Sequence, residues 1–139
     1  MQGPRQPETM IGRILARARQ KIADPRNWCR NALAIDKTDG EGVQPLACDA
    51  CAWCITGAIF SAAGFCGDDD CEQCPEISGN AYAALDVVRD CLPNGHGTGL
   101  AEWNDDESTT HANVLAVLTT ATYRAEGWDV ETLPSDVAT

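Results

Sequence analysis

The spacing of apolar residues predicts a mainly helical chain. From Thr9 to Ala23, Ile11, Ile14, Leu15, Ala18 and Ile22 recur at three- and four-residue steps, with Arg13, Arg17 and Lys21 on the opposite face. Asp24-Pro25 closes that helix and opens a second, Asp24 as N-cap and Pro25 at the first helical position, running to about Ile35 with Trp28, Ala32 and Ile35 inward. A Gly- and Asp-rich turn over 36–44 follows, in which Val43 is the one position suited to a brief strand pairing. The stretch from Pro45 to Ala63 is apolar on nearly every side and ends at Gly64, which predicts a central buried helix with a left-handed C-cap. Beyond an acidic, cysteine-rich loop at 65–77, a helix is expected from Ser78 to Cys91, with Tyr82, Leu85, Val88 and Leu92 on one face. An irregular loop covers 93–107, and a last helix starts near Thr109 or Thr110 and buries Val114, Leu115, Leu118 and Ala121. The expected architecture is all-α: one compact domain over 8–126, a bundle of about five helices with a Cys-rich acidic loop, and a C-terminal tail over 127–139 onto whose body Trp128 can dock.

Composition adjusts this picture in two respects. At 139 residues the chain can close a hydrophobic core without metal or disulfide help. It contains no apolar run long enough to span a bilayer, and its first residues lack the apolar segment of an export signal, so the expected compartment is the cytoplasm. The net charge of −11 conceals a split: residues 1–37 carry eight basic groups against three acids, whereas 38–139 carry Arg89 and Arg124 against eighteen. Either the basic first helix screens the acidic body, or the acidic surface of 67–76 and 102–107 meets a basic protein. Direct nucleic-acid binding is not favoured, because no basic patch is interleaved with aromatics. The Gly95–Gly99 stretch around His96 lacks the lysine of a phosphate loop.

Eight cysteines are the strongest chemical signal. Cys48-x-x-Cys51 and Cys71-x-x-Cys74 have the spacing of a four-thiolate zinc site, with Cys66, Cys91 or Cys29 as alternative ligands. Such zinc is structural, since four thiolates leave no position for a catalytic water. Disulfides, as in a virion, and reduced, inert thiols are the competing states. Across a continuous helix over 46–64 the zinc site would be taut, the helix being roughly 20 Å long. Cys51-Ala-Trp-Cys54 also matches a dithiol redox motif, without the βαβ context such motifs need.

Three segments read best together: Trp28-Cys29, Trp53-Cys54-Ile55-Thr56-Gly57-Ala58, and Trp103-Asn104-Asp105 with Thr110-His111. Over about residues 10–125 the chain resembles a family of bacterial and phage proteins of unknown function with a Trp-Asn-Asp motif and an upstream Trp-Cys-x-x-Gly-Ala segment. The resemblance implies a small helical domain and supplies no reaction. The cysteines at 48, 51, 66, 71 and 74 depart from that pattern. A catalytic reading takes Cys54 as nucleophile, His111 as base and Asn104 or Asp105 as the orienting group. A structural reading has Gly57 admitting a neighbouring backbone, Asn104 and Asp105 satisfying free N–H groups at a helix start, and Trp103 anchoring its loop. The expected function is a non-catalytic protein-interaction module with a cysteine enzyme or a disulfide-stabilised virion component as alternatives.

Overall fold

A computed structural model describes residues 6–36, 38, 40–65, 75–92 and 99–129. Among these, five helices surround a core and a small sheet closes one side. The helices are α1 (Met10–Lys21), α2 (Ile55–Ala63), α3 (Pro75–Asp90), α4 (Leu100–Asp105) and α5 (His111–Glu126); the strands are β1 (Ala34–Asp36), β2 (Gly42–Val43) and β3 (Ala50–Trp53). The expected all-α class is therefore wrong. The three strands form an antiparallel sheet in the order β2-β1-β3, which makes the fold mixed α/β.

Two expected helices gave way to this sheet. Asp24 and Pro25 do start a turn, with the Asp24 carboxylate accepting from the Arg26 N–H at 2.9 Å, but only a single 3₁₀ turn, Pro25–Asn27, follows. Asn31 then takes a left-handed conformation (φ 68°) that no α-helix accommodates, and the chain leaves it as β1. The expected Pro45–Ala63 helix is a turn, a strand and a nine-residue helix. Pairing Ala34 with Trp53 and Ile35 with Ala52 makes Ala50–Trp53 a strand, and Cys51 is the extra residue of a β-bulge between Ile35 and Asp36. A short apolar run is equally readable as buried strand or buried helix, so the pairing partner decided it.

The remaining helices follow the sequence more closely. Thr9 caps α1, its hydroxyl accepting from the Gly12 N–H at 2.9 Å, and Ile14, Leu15 and Ala18 face the core. Cys54, with ψ 175°, caps α2 through its sulfur (Gly57 N–H to Sγ 3.3 Å), and Gly64 at φ 80° ends it. The third helix begins three residues earlier than expected, at Pro75, and α4 occupies part of the predicted irregular loop. A reciprocal Thr110–Asn113 capping box starts α5. Gly127 turns it off at φ 73°, and Trp128 folds back to donate its backbone N–H to the Tyr123 carbonyl at 2.9 Å with the two rings 5.2 Å apart. Helix α1 packs against α2, α3 and α5. The core includes Leu15, Ile22, Ile55, Ile59, Phe65, Val88 and Leu118, all fully buried.

The ends of α1 and α5 are clamped by one side chain. Glu126 accepts from the backbone N–H of Glu8 (2.6 Å) and of Thr9 (2.9 Å) and from the Thr9 hydroxyl, filling orphan donors at the start of α1. Burial raises the Glu126 carboxyl, but the N–H of Glu8 and the Thr9 groups outweigh it and hold the carboxyl below its usual range. A depressed carboxyl supplies stability that is present above its unfolded value and lost as pH falls through the folded one. Wild-type protein is therefore expected to lose Tm between neutral pH and pH below about 4 more steeply than Glu126→Gln. Parallel slopes for the two proteins in thermal melts would refute the clamp.

Candidate functional site

The three singled-out segments meet at one place, although they come from distant parts of the chain. β3 brings Trp53 beside Trp28 as a parallel bridge, and the Cys29 N–H donates to the Trp53 carbonyl at 3.1 Å. Asn104 on α4 is fully buried there. Its Oδ1 accepts from the Trp28 indole N–H (2.8 Å) and the Ile55 backbone N–H (2.9 Å), and its Nδ2 donates to the Cys29 carbonyl and to Asp105 Oδ1, both at 3.1 Å. Asp105 in turn accepts from the Asn31 N–H at 2.8 Å, which holds that residue in its left-handed turn. Asn104 thus does satisfy a free N–H at a helix start, but the helix is α2 rather than the following α5.

The surrounding residues brace this knot. The Arg30 guanidinium lies 4.6 Å from the centre of the Trp28 ring and donates to the Thr109 carbonyl at 2.6 Å. The His111 ring lies 5.8 Å from Trp28, with its Nε2 2.6 Å from the Ile22 carbonyl oxygen. Trp103 is 9% exposed and belongs to the core, so it anchors α4 as expected. The Leu33 carbonyl accepts the Cys54 N–H at 3.2 Å and rests against Gly57, where a methyl group would overlap its oxygen. Sequence reasoning missed Arg30 and Asn31; the tolerance of Asn for left-handed backbone was the available signal for the second.

The catalytic set is brought into one neighbourhood without the bonds a thiol–imidazole pair requires. The Cys54 sulfur, 3% exposed, accepts from Gly57, whereas His111 bonds to the Ile22 carbonyl. Burial pushes the Cys54 thiol up; the N–H groups of Gly57 and Thr56 oppose this only in part. A nucleophilic cysteine needs the opposite balance. Cys51 stands on the β-bulge and Cys54 at the start of α2, beside an antiparallel sheet rather than the βαβ unit that a dithiol redox motif of this spacing needs.

Cys48 is exposed in the turn before β3, and Cys51 is half-buried on the bulge. The turn and strand replace the first part of the expected long helix, so only the nine residues of α2, about 13 Å at 1.5 Å per residue, separate Cys54 from the end of the helix. Cys66, Cys71 and Cys74, like His96, lie outside the described residues. Among the described residues no group of three or more His, Cys, Asp or Glu side chains is arranged to hold a metal ion. None of the described helices is long and apolar enough to cross a membrane.

The family model of DUF6197, a family of unknown function, matches residues 6–124. The chain belongs to that family. The matched span takes in all three segments of the buried knot. No curated protein and no solved structure matches the chain.

Proposed function

We propose that this DUF6197 member is a non-catalytic protein-interaction module that engages a basic protein surface. One observation carries the reading: the polar groups that a cysteine enzyme would use are spent on the fold. Asn104 is fully buried with both ends of its amide bonded, the Cys54 sulfur caps α2, and His111 Nε2 is tied to Ile22. Binding is then the work of the surface. On α4 and the turn after it, Glu102, Asp106 and Glu107 are exposed. Asp106 keeps its charge to lower pH than an ordinary aspartate, because it accepts from the Ser108 N–H and hydroxyl and lies near Arg30.

The same proposal retains structural zinc on Cys48, Cys51, Cys71 and Cys74, with Cys66 or Cys91 as alternates, and a bacterial or phage source, the protein working in the cytoplasm or in a virion. Elemental analysis of protein purified under reducing conditions tests the zinc: one zinc per chain supports it, and metal-free protein with eight free thiols removes it.

The binding surface is tested by immobilising wild type and a Glu102→Gln, Glu107→Gln double variant and challenging both with host extract at low and high ionic strength. A basic protein held by wild type at low salt, released at high salt and ignored by the double variant is the expected outcome, because exposed charge pairs are screened beyond about 10 Å at 0.1 M salt. Equal capture by the double variant, or retention through high salt, contradicts charge-led binding.

A further inference from the structure

The chain contains two Trp-Cys dipeptides, Trp28-Cys29 and Trp53-Cys54, and the fold lays them side by side in parallel. In a parallel pairing, residues at equivalent positions have side chains on the same face, so the partnering of Trp28 with Trp53 makes Cys29 the neighbour of Cys54. The Cys29 N–H to Trp53 carbonyl bond holds this register at 3.1 Å. The ladder ends at that bridge, since the Asn104 amide bonds both the Cys29 carbonyl and the Ile55 N–H that would otherwise meet, so Cys29 and Cys54 are the first positions past the bridge. A disulfide there needs their Cα atoms about 4.4–6.8 Å apart. From this geometry we infer that Cys29 and Cys54 are an oxidisable pair that closes to a disulfide, a modification site joining the segment before β1 to the start of α2.

Other features agree. Burial pushes the Cys29 thiol up to about 12, and Cys54 is the neighbouring charge that adds most, ahead of Asp105 and Cys51. Cys29 is half-buried while Cys54 is buried, so an oxidant meets Cys29 first. Among the described residues the Cys29 sulfur contacts the Ala32 carbonyl at 3.6 Å, which a side-chain rotation releases. Neither cysteine belongs to the Cys48, Cys51, Cys71 and Cys74 set, although Cys29 is one of the alternative ligands named from the sequence.

With hydrogen peroxide as oxidant, the Cys29 thiolate attacks one peroxide oxygen. An S–O bond forms, the O–O bond breaks, and hydroxide leaves as water after taking a proton. The Cys54 sulfur then attacks the Cys29 sulfur; the S–S bond forms, the S–O bond breaks, and a second water leaves with the Cys54 proton. Two thiols lose two electrons and one peroxide gains them. Because the high Cys29 value keeps its thiolate scarce, the reaction is slow at neutral pH and accelerates as pH rises.

Dilute full-length protein treated with hydrogen peroxide at about pH 9, where more thiolate is present, is alkylated and digested without reduction, with cleavage after Trp53 separating Cys51 from Cys54. The expected product is monomeric protein carrying a Cys29–Cys54 cross-linked peptide. It should form equally in Cys51→Ser and be absent from Cys29→Ser and Cys54→Ser. Both of those variants keep the fold: Asn104 uses only the backbone carbonyl of residue 29, and serine is a preferred N-cap at residue 54. Cys29 linked to Cys51, or Cys29 and Cys54 both recovered as free thiols after exposed Cys48 has been consumed, overturns the assignment.

Discussion

Asn104→Ala is expected to lower the unfolding free energy by about 3–5 kcal/mol, because it removes the partner of one buried and two part-buried polar groups at once. The Trp28 indole N–H, the first N–H of α2 at Ile55 and the Cys29 carbonyl all lose their partner, in a site where Asn104 has no exposure to water. An unsatisfied buried group costs about 1–3 kcal/mol, and the truncation also leaves a small void. Asn104→Leu, which restores most of the volume without the hydrogen bonds, should recover little of the loss. Urea midpoints for the three proteins measure this directly. A loss under about 1 kcal/mol for the alanine variant would show that the knot is not what holds α4, α2 and the Trp28 segment together.

Gly57→Ala is the second large effect, and it has an internal control. Alanine ordinarily strengthens a helix interior by about 1 kcal/mol over glycine. At Gly57 the added methyl would overlap the Leu33 carbonyl oxygen and stand 2.7 Å from its carbon. That carbonyl is backbone, fixed by the Cys54 N–H, so it cannot swing away as a side chain would. The net result should be a destabilisation of about 2–3 kcal/mol, the overpacking cost exceeding the propensity gain. Gly79 sits in α3 with nothing within 4 Å of an added methyl. Gly79→Ala should therefore stabilise by about 0.5–1 kcal/mol. If both substitutions shift the thermal midpoint in the same direction, Leu33 does not press on α2 as described.

These two positions bear on function as well as stability. A site whose cysteine, asparagine and aspartate hold three chain segments in register tolerates little movement, whereas a thiol nucleophile must be ionised and reached by substrate. Glu102 is exposed on the same short helix that carries Asn104 inward, and Asp106 and Glu107 are exposed in the turn that follows it. The buried knot thus positions the surface proposed for binding.

What could be read from the chain alone was the part governed by local chemistry. The three- and four-residue spacing of Ile14, Leu15, Ala18 and Ile22 located α1, Thr110 marked the start of α5, and Gly64 the end of α2, because caps and periodicity act within one or two turns. The importance of Trp28, Trp53-Cys54, Gly57 and Trp103-Asn104-Asp105 was also visible, as was the prospect of a neighbour's backbone lying on Gly57. Only the folded chain decided that Ala50–Trp53 is a strand, that Asn31 turns left-handed, and that Asn104 serves Ile55, forty-nine residues away, rather than the helix that follows it. An apolar tetrapeptide carries no record of its pairing partner, and a buried amide finds its donors through space. Both outcomes rest on contacts between residues remote in sequence, which no local pattern encodes.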